Sequence, residues 1–118
     1  MGYESRFIIV EKSSINFTEL NLRWAETLCV LEMSKITDIP DFFKDTDCFF
    51  YFPGDGNKKI TEDDYGAKIK EASISDVLTW CEKEYRKNGY RRYKWAMNML
   101  KTFQKEKNED IVVLHYGY

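Results

Sequence analysis

The sequence predicts an α+β domain, and three features carry that prediction. Apolar, β-branched runs lie near both ends of the chain, at SRFIIVE and at IVVLHYG. Between Ser73 and Glu106 the apolar residues instead recur with the period of an α-helix. Turn residues punctuate the middle of the chain, above all in PGDGN. The expected architecture is a mixed or antiparallel sheet of about five strands, with a C-terminal helix pair packed on one face and the last strand interior. Residues 1–118 are read as a single domain, since a chain of 118 residues buries roughly two-thirds of its unfolded surface, enough for a core without staples.

Each element has its own local reason. Residues 5 to 12 read as a strand with Arg6, Ile8 and Val10 on one side and Phe7, Ile9 and Glu11 on the other. The following INFTELNLRWAETLCVLEMSKI suits a helix or a strand. A turn or short helix near Ile15 to Leu20, then a strand from about Trp24 to Met33, accommodates its apolar residues on both faces. TDIPDFFKDTD reads as a surface turn at Pro40, capped by Thr37 or Asp38, that tucks Phe42 or Phe43 inward. DCFFYF is the next expected strand and PGDGN its hairpin loop. The return strand has Ile60 near its start and Tyr65 to Ile69 near its end, with the acidic EDDYG between them.

From Ser73 the period turns helical. Ser73 is placed as an N-cap with Asp76 three residues on, and Ile74, Val77, Leu78, Cys81 and Tyr85 form one stripe that Asn88 and Gly89 terminate. A second helix runs from Tyr90 to Glu106, with Tyr93, Ala96, Met97, Leu100 and Phe103 facing inward. The closing DIVVLHYGY is apolar on both faces, as a covered central strand would be. Val112, Leu114 and Tyr116 then face one way, and Val113 and His115 the other.

Several function classes are disfavoured at this level. With 43% hydrophobic and 32% charged residues the composition is globular rather than disordered. The longest apolar runs, Leu28 to Leu31 and Cys48 to Pro53, fall far short of the roughly 20 residues a membrane span needs, so no membrane partner is expected. Glu4 and Arg6 flank only Phe7 to Val10, which is no secretory pattern, and a cytoplasmic location is expected. Cys29, Cys48 and Cys81 are too far apart in sequence for a zinc site and odd in number for a disulfide framework, so they read as buried thiols. Asp55, Asn57 and Glu62 imitate part of a calcium loop, but Ile60 stands where that loop requires glycine. His115, the single histidine, reads as a hydrogen-bonded core residue. No complete catalytic motif occurs, and the expectation is a protein without enzymatic activity, metal or cofactor.

Charge is segregated along the chain. Residues 82 to 107 hold nine Lys or Arg against three acids, whereas residues 1 to 81 hold nine against fifteen. The basic segment includes NGYRRYKWAMNMLK, and Arg86, Lys87, Tyr90, Arg91, Lys94, Trp95 and Lys101 are the candidate binding residues. Cations beside aromatics can neutralise phosphates and stack a base, although solvated lysines around a core helix give the same pattern. An isoelectric point near 5.5 argues against a dedicated nucleic-acid domain. Asp41, Asp45, Asp47, Asp63 and Asp64 form the complementary candidate, an acidic surface able to attract a basic partner.

The segments MGYESRFIIVEKS, ITEDDYGAKIKEAS and VVLHYGY together resemble small uncharacterised proteins of phages and prophages of Gram-positive bacteria. The resemblance implies a setting rather than a fold, a reaction or site residues, because small accessory phage proteins often act by binding and redirecting a host protein. The expected function is accordingly that of a non-enzymatic accessory protein, an anti-CRISPR candidate, that binds a macromolecular partner such as a host defence or nucleic-acid enzyme in the bacterial cytoplasm. Direct nucleic-acid binding through the basic helix pair, residues 83–105, is the alternative.

Overall fold

A computed structural model describes residues 4–15, 27–34, 36, 39–52 and 55–118. Among the described residues ten elements follow in order: β1 (Ser5–Glu11), α1 (Lys12–Ile15), β2 (Cys29–Glu32), β3 (Lys44–Asp45), β4 (Phe50–Phe52), β5 (Asp55–Ile60), β6 (Lys70–Ser73), α2 (Ile74–Asn88), α3 (Arg91–Gln104) and β7 (Ile111–Gly117). Five strands make one antiparallel sheet in the order β2-β1-β7-β6-β3. The remaining two, β4 and β5, pair with each other as a separate ribbon. The α+β class is therefore observed, with an antiparallel sheet and β7 inside it.

The position of β7 explains why its sequence is apolar on both faces. It pairs with β1 from Ser5↔Gly117 to Glu11↔Ile111 on one side and with β6 on the other. Strand alternation sends Ile111 and Val113 into a core shared with Phe7 and Ile9 of β1 and with Val77, Cys81, Ala96 and Leu100 of the helices. Val112, Leu114 and Tyr116 enter a second core with Ile8, Val10, Cys48, Phe50 and Ile69, against which Ile60 also packs. The helix pair thus covers one face and the β4–β5 ribbon reaches the other. All seven residues of β7 are buried.

Both helices bury the stripes their periodicity predicts. In α2 these are Ile74, Val77, Leu78 and Cys81, with Tyr85 half-buried; in α3 they are Ala96, Met97 and Leu100, flanked by half-buried Tyr93 and Phe103. Trp80, outside the predicted stripe, lies against Phe7 and meets Tyr93 edge-on at 5.6 Å between ring centroids. The Ser73 side chain accepts a bond from the Asp76 backbone N–H at 3.1 Å, satisfying one free donor of the first turn. Gly89 ends the helix in the left-handed region at φ 69°, its N–H donating to Tyr85 O at 2.7 Å. A Cβ at Gly89 would meet nothing within 4 Å, so any penalty there is conformational and not steric. Gly89→Ala is expected to lower stability by about 1 kcal/mol, read as a lower urea midpoint at unchanged slope.

The middle of the chain departs from the sequence reading. Asp55 and Asn57 belong to β5, not to a loop, and Pro53 and Gly54 lie outside the described residues. The expected strand DCFFYF shrinks to Phe50–Phe52, and β5 ends at Ile60 instead of running on to Ile69. Residues 61–69 form a loop, and Lys70–Ser73 joins the main sheet beside β7 as a strand of its own. The antiparallel pairing of β4 with β5 agrees with the hairpin reading, but the pair stands apart from the main sheet, whereas β6 finds its partners β3 and β7 far away in sequence. The turn at Pro40 buries Phe43, at 4% exposure, and leaves Phe42 half-buried. Helix α1 meets the turn or short helix expected near Ile15 to Leu20 only at Ile15 and begins at Lys12, the last residue of the expected first strand. Residues 16–20, the expected strand start at Trp24, and Thr37 and Asp38 lie outside the described residues.

Candidate functional site

The corner between α2 and α3 gathers part of the basic candidate set. Only Gly89 and Tyr90 separate the helices, so the first turn of α3 is held close to the last turn of α2. Helical spacing puts Tyr93, Ala96, Met97 and Leu100 toward the core, which turns Arg91, Lys94 and Trp95 outward. Tyr90 is 63% exposed and Trp95 58% exposed, unusual for side chains of that apolar area. Tyr90 lies nearly parallel to Tyr93, which in turn meets Trp80 edge-on, so the exposed ring rests on two half-buried aromatics.

These residues line a groove of about 430 Å³ between the first turn of α3 and the chain just after β2. Met33, at 3% exposure, and half-buried Tyr93 are its most enclosed members, while Tyr90, Arg91, Arg92 and Trp95 are exposed. Ser34 completes it with a backbone φ of 58°, a left-handed conformation that non-glycine residues seldom adopt. The Arg92 guanidinium donates to Glu32 O at 2.9 Å, tying α3 to the edge strand β2.

Electrostatically the corner is one-sided. Helix α3 holds Arg91, Arg92, Lys94 and Lys101 and no acidic residue, and its first turn lacks both an acid and a side-chain cap. That places cations at the positive end of the helix dipole, the arrangement opposite to the favoured one. Arg91, Lys94 and Lys101 form no ion pair among the described residues. The Glu32 carboxylate is engaged by Arg6 and by the Tyr118 hydroxyl.

The structure thus joins Tyr90, Arg91 and Trp95 of the predicted set and adds Arg92, Met33 and Ser34. Arg86 and Lys87 line a different depression with Trp80 and Glu84, and Arg86 is paired with Glu82. Lys94 is exposed but does not line the groove, and Lys101 lies ten residues past Arg91, about 15 Å along the helix. Arg92 was legible as one more cation in a basic run. Nothing local marked Met33 and Ser34, which the fold brings up from more than fifty positions away.

The acidic candidates do not form one surface. Asp41, Asp45, Asp47 and Asp64 are exposed, whereas Asp63 is a buried residue and leaves the set. One Asp63 carboxylate oxygen accepts the backbone N–H groups of Tyr65 and Ala67, at 2.8 and 3.0 Å. The other accepts the Gly117 N–H at 3.2 Å, so Asp63 shapes its loop and ties it to β7. Neighbouring Asp64 accepts from the Tyr116 hydroxyl at 2.6 Å.

Asp47, Cys48 and Glu71 bring three potential ligand atoms within 4.8 Å of one another. The Lys12 ammonium already answers their charge, at 2.9 Å from Glu71 and 3.5 Å from Asp47, and Thr46 donates to Glu71 at 2.7 Å. Burial pushes the Cys48 thiol up from its ordinary range, away from the thiolate a metal would prefer. Cys81 is buried and pushed up to about 12 for the same reason, while Cys29 is only half-buried. His115, at 4% exposure, bonds Ser5 Oγ through Nε2 at 2.9 Å and sits edge-on to Phe7 and Phe43. No described helix is long and apolar enough to cross a membrane. Comparison with protein-family models, with curated proteins and with solved structures finds no match for this chain.

Proposed function

We propose that this chain is a non-enzymatic binding protein that docks a protein partner through the corner formed by Tyr90, Arg91, Arg92 and Trp95. One observation carries the reading: two large aromatic side chains stand more than half exposed among arginines that have no acidic neighbour on their helix. Trp, Tyr and Arg are the residues that most often dominate protein interfaces, because they bury large areas and still make directed polar contacts. The resemblance to phage and prophage proteins supports an accessory role in a bacterial cytoplasm, with a host defence or nucleic-acid enzyme as the partner. The packing of His115 in the core, bonded to Ser5, supports a structural role for it.

The cations Arg91, Lys94 and Lys101, which form no ion pair among the described residues, favour direct nucleic-acid binding as the second reading. Against it stands the overall charge of −2, since phosphate binding by counterion release rewards a net basic surface. Affinity capture from nuclease-treated bacterial lysate, with wild type and a Tyr90→Ala/Trp95→Ala variant side by side, tests the proposal. The expected result is a protein whose recovery falls roughly tenfold with the variant, at an unchanged melting temperature. Equal recovery of every protein by both baits would refute it, and steeply salt-dependent retention of DNA or RNA would favour the second reading.

A further inference from the structure

We infer that the groove between the end of β2 and the first turn of α3 takes an acidic peptide segment of the partner. One apolar side chain enters against Met33, Tyr93 and Trp95, and flanking carboxylates face Arg91 and Arg92. This rests on the protein-binding reading above and names the chemistry that the corner recognises.

The volume, about 430 Å³, lies at the small end of the range for binding pockets and suits one or two side chains better than a folded surface. Its enclosed members, Met33 and Tyr93, offer apolar area, so an inserted group gains most if it is apolar itself. The exposed members offer charge of a single sign. Arg92 spends one N–H on the Glu32 carbonyl, which fixes its guanidinium and leaves other donors to a ligand. Arg91 has no ion-pair partner among the described residues. The acids nearest in sequence are committed elsewhere, Glu32 to Arg6 and Tyr118, and Glu84 to the Asn88 side chain. The dipole of α3 adds positive potential at the same end.

A carboxylate meeting a planar guanidinium forms paired, charge-assisted bonds, the strongest polar contact available to an exposed arginine. An acidic peptide with an apolar anchor therefore matches floor and rim together. A phosphate chain matches the rim alone, and its affinity grows with the number of phosphates neutralised, for which the described residues lining the groove offer two cations, Arg91 and Arg92.

The test uses fluorescence anisotropy with the full chain and a labelled heptapeptide of glutamates around one central phenylalanine. Saturable binding is expected, weakened about tenfold by Arg91→Glu and by Trp95→Ala, with the melting temperature of each variant checked. Replacing the central phenylalanine by alanine should weaken it by a similar factor. Lys44→Glu, on β3 away from the groove, should change affinity less than about twofold, which separates local recognition from general charge. Absence of saturable binding up to about 1 mM peptide, equal binding by Arg91→Glu, or tighter binding of an oligothymidylate of the same length overturns the inference. In the capture experiment, a partner lost with Trp95→Ala but kept with Arg91→Glu would retain the protein-binding corner and remove the acidic peptide.

Discussion

Truncation after Asp110 is expected to leave a chain with no cooperative thermal transition. The missing segment contains β7, whose seven residues are all buried and whose backbone pairs with β1 along its full length and with β6 over four residues. Its removal exposes two strands that would then lack a neighbour on that side, and it empties both cores at once. Each lost apolar side chain is worth roughly 1.5 to 3 kcal/mol, so five or six of them rival the 5 to 15 kcal/mol that typically holds a domain together, to within about a factor of two. Circular dichroism melting decides the matter. A sharp transition within a few degrees of the full-length protein would mean that β7 is not the central strand.

Acid is expected to destabilise the protein well before its surface carboxylates titrate. His115 is held neutral, its pKa lowered to about 4, chiefly because burial disfavours the imidazolium; the Asp63 carboxylate pulls weakly the other way. The sign follows from proton uptake. Above the unfolded value of 6.5 both states are neutral at this residue and it adds no pH dependence. As pH falls through 6.5 the unfolded chain binds a proton that the folded chain refuses, and stability drops until the folded histidine also titrates near 4. At about 1.4 kcal/mol per pH unit, the loss is about 2 kcal/mol between pH 7 and pH 5 and about 3 kcal/mol by pH 4. Urea unfolding at these pH values, for wild type and His115→Gln, measures it. The variant can still bond Ser5 but cannot titrate, so it should lose most of the slope between pH 6.5 and pH 5. An equal slope in both proteins would assign the acid sensitivity to other groups.

What could be read without the structure was what local chemistry controls. Ser73 caps α2 and Gly89 ends it because both effects act within a few residues and do not depend on the rest of the fold. The two-faced apolar pattern of β7 announced an interior strand, since such a run is stable only when covered on both sides. The Tyr90, Arg91 and Trp95 cluster was visible for the same reason, being nearly contiguous on one helix.

The tertiary structure decided whatever depends on partners distant in sequence. Short strands such as Lys44–Asp45 and Lys70–Ser73 carry too few residues for periodicity to name their neighbours, so the sheet order had to come from packing, as did the separation of the locally paired β4–β5 ribbon from that sheet. Asp63 looks in sequence like one more solvated acid beside Asp64, and its burial with the Tyr65, Ala67 and Gly117 N–H groups on its two carboxylate oxygens distinguishes a loop-holding carboxylate from a surface charge. The groove is of the same kind. By itself the chain determined that exposed aromatics would stand among cations at the start of α3, because helical spacing leaves those side chains no room in the core. It could not determine that Met33 would lie beneath them, because sequence carries spacing along a helix but not which edge of a sheet the helix will meet.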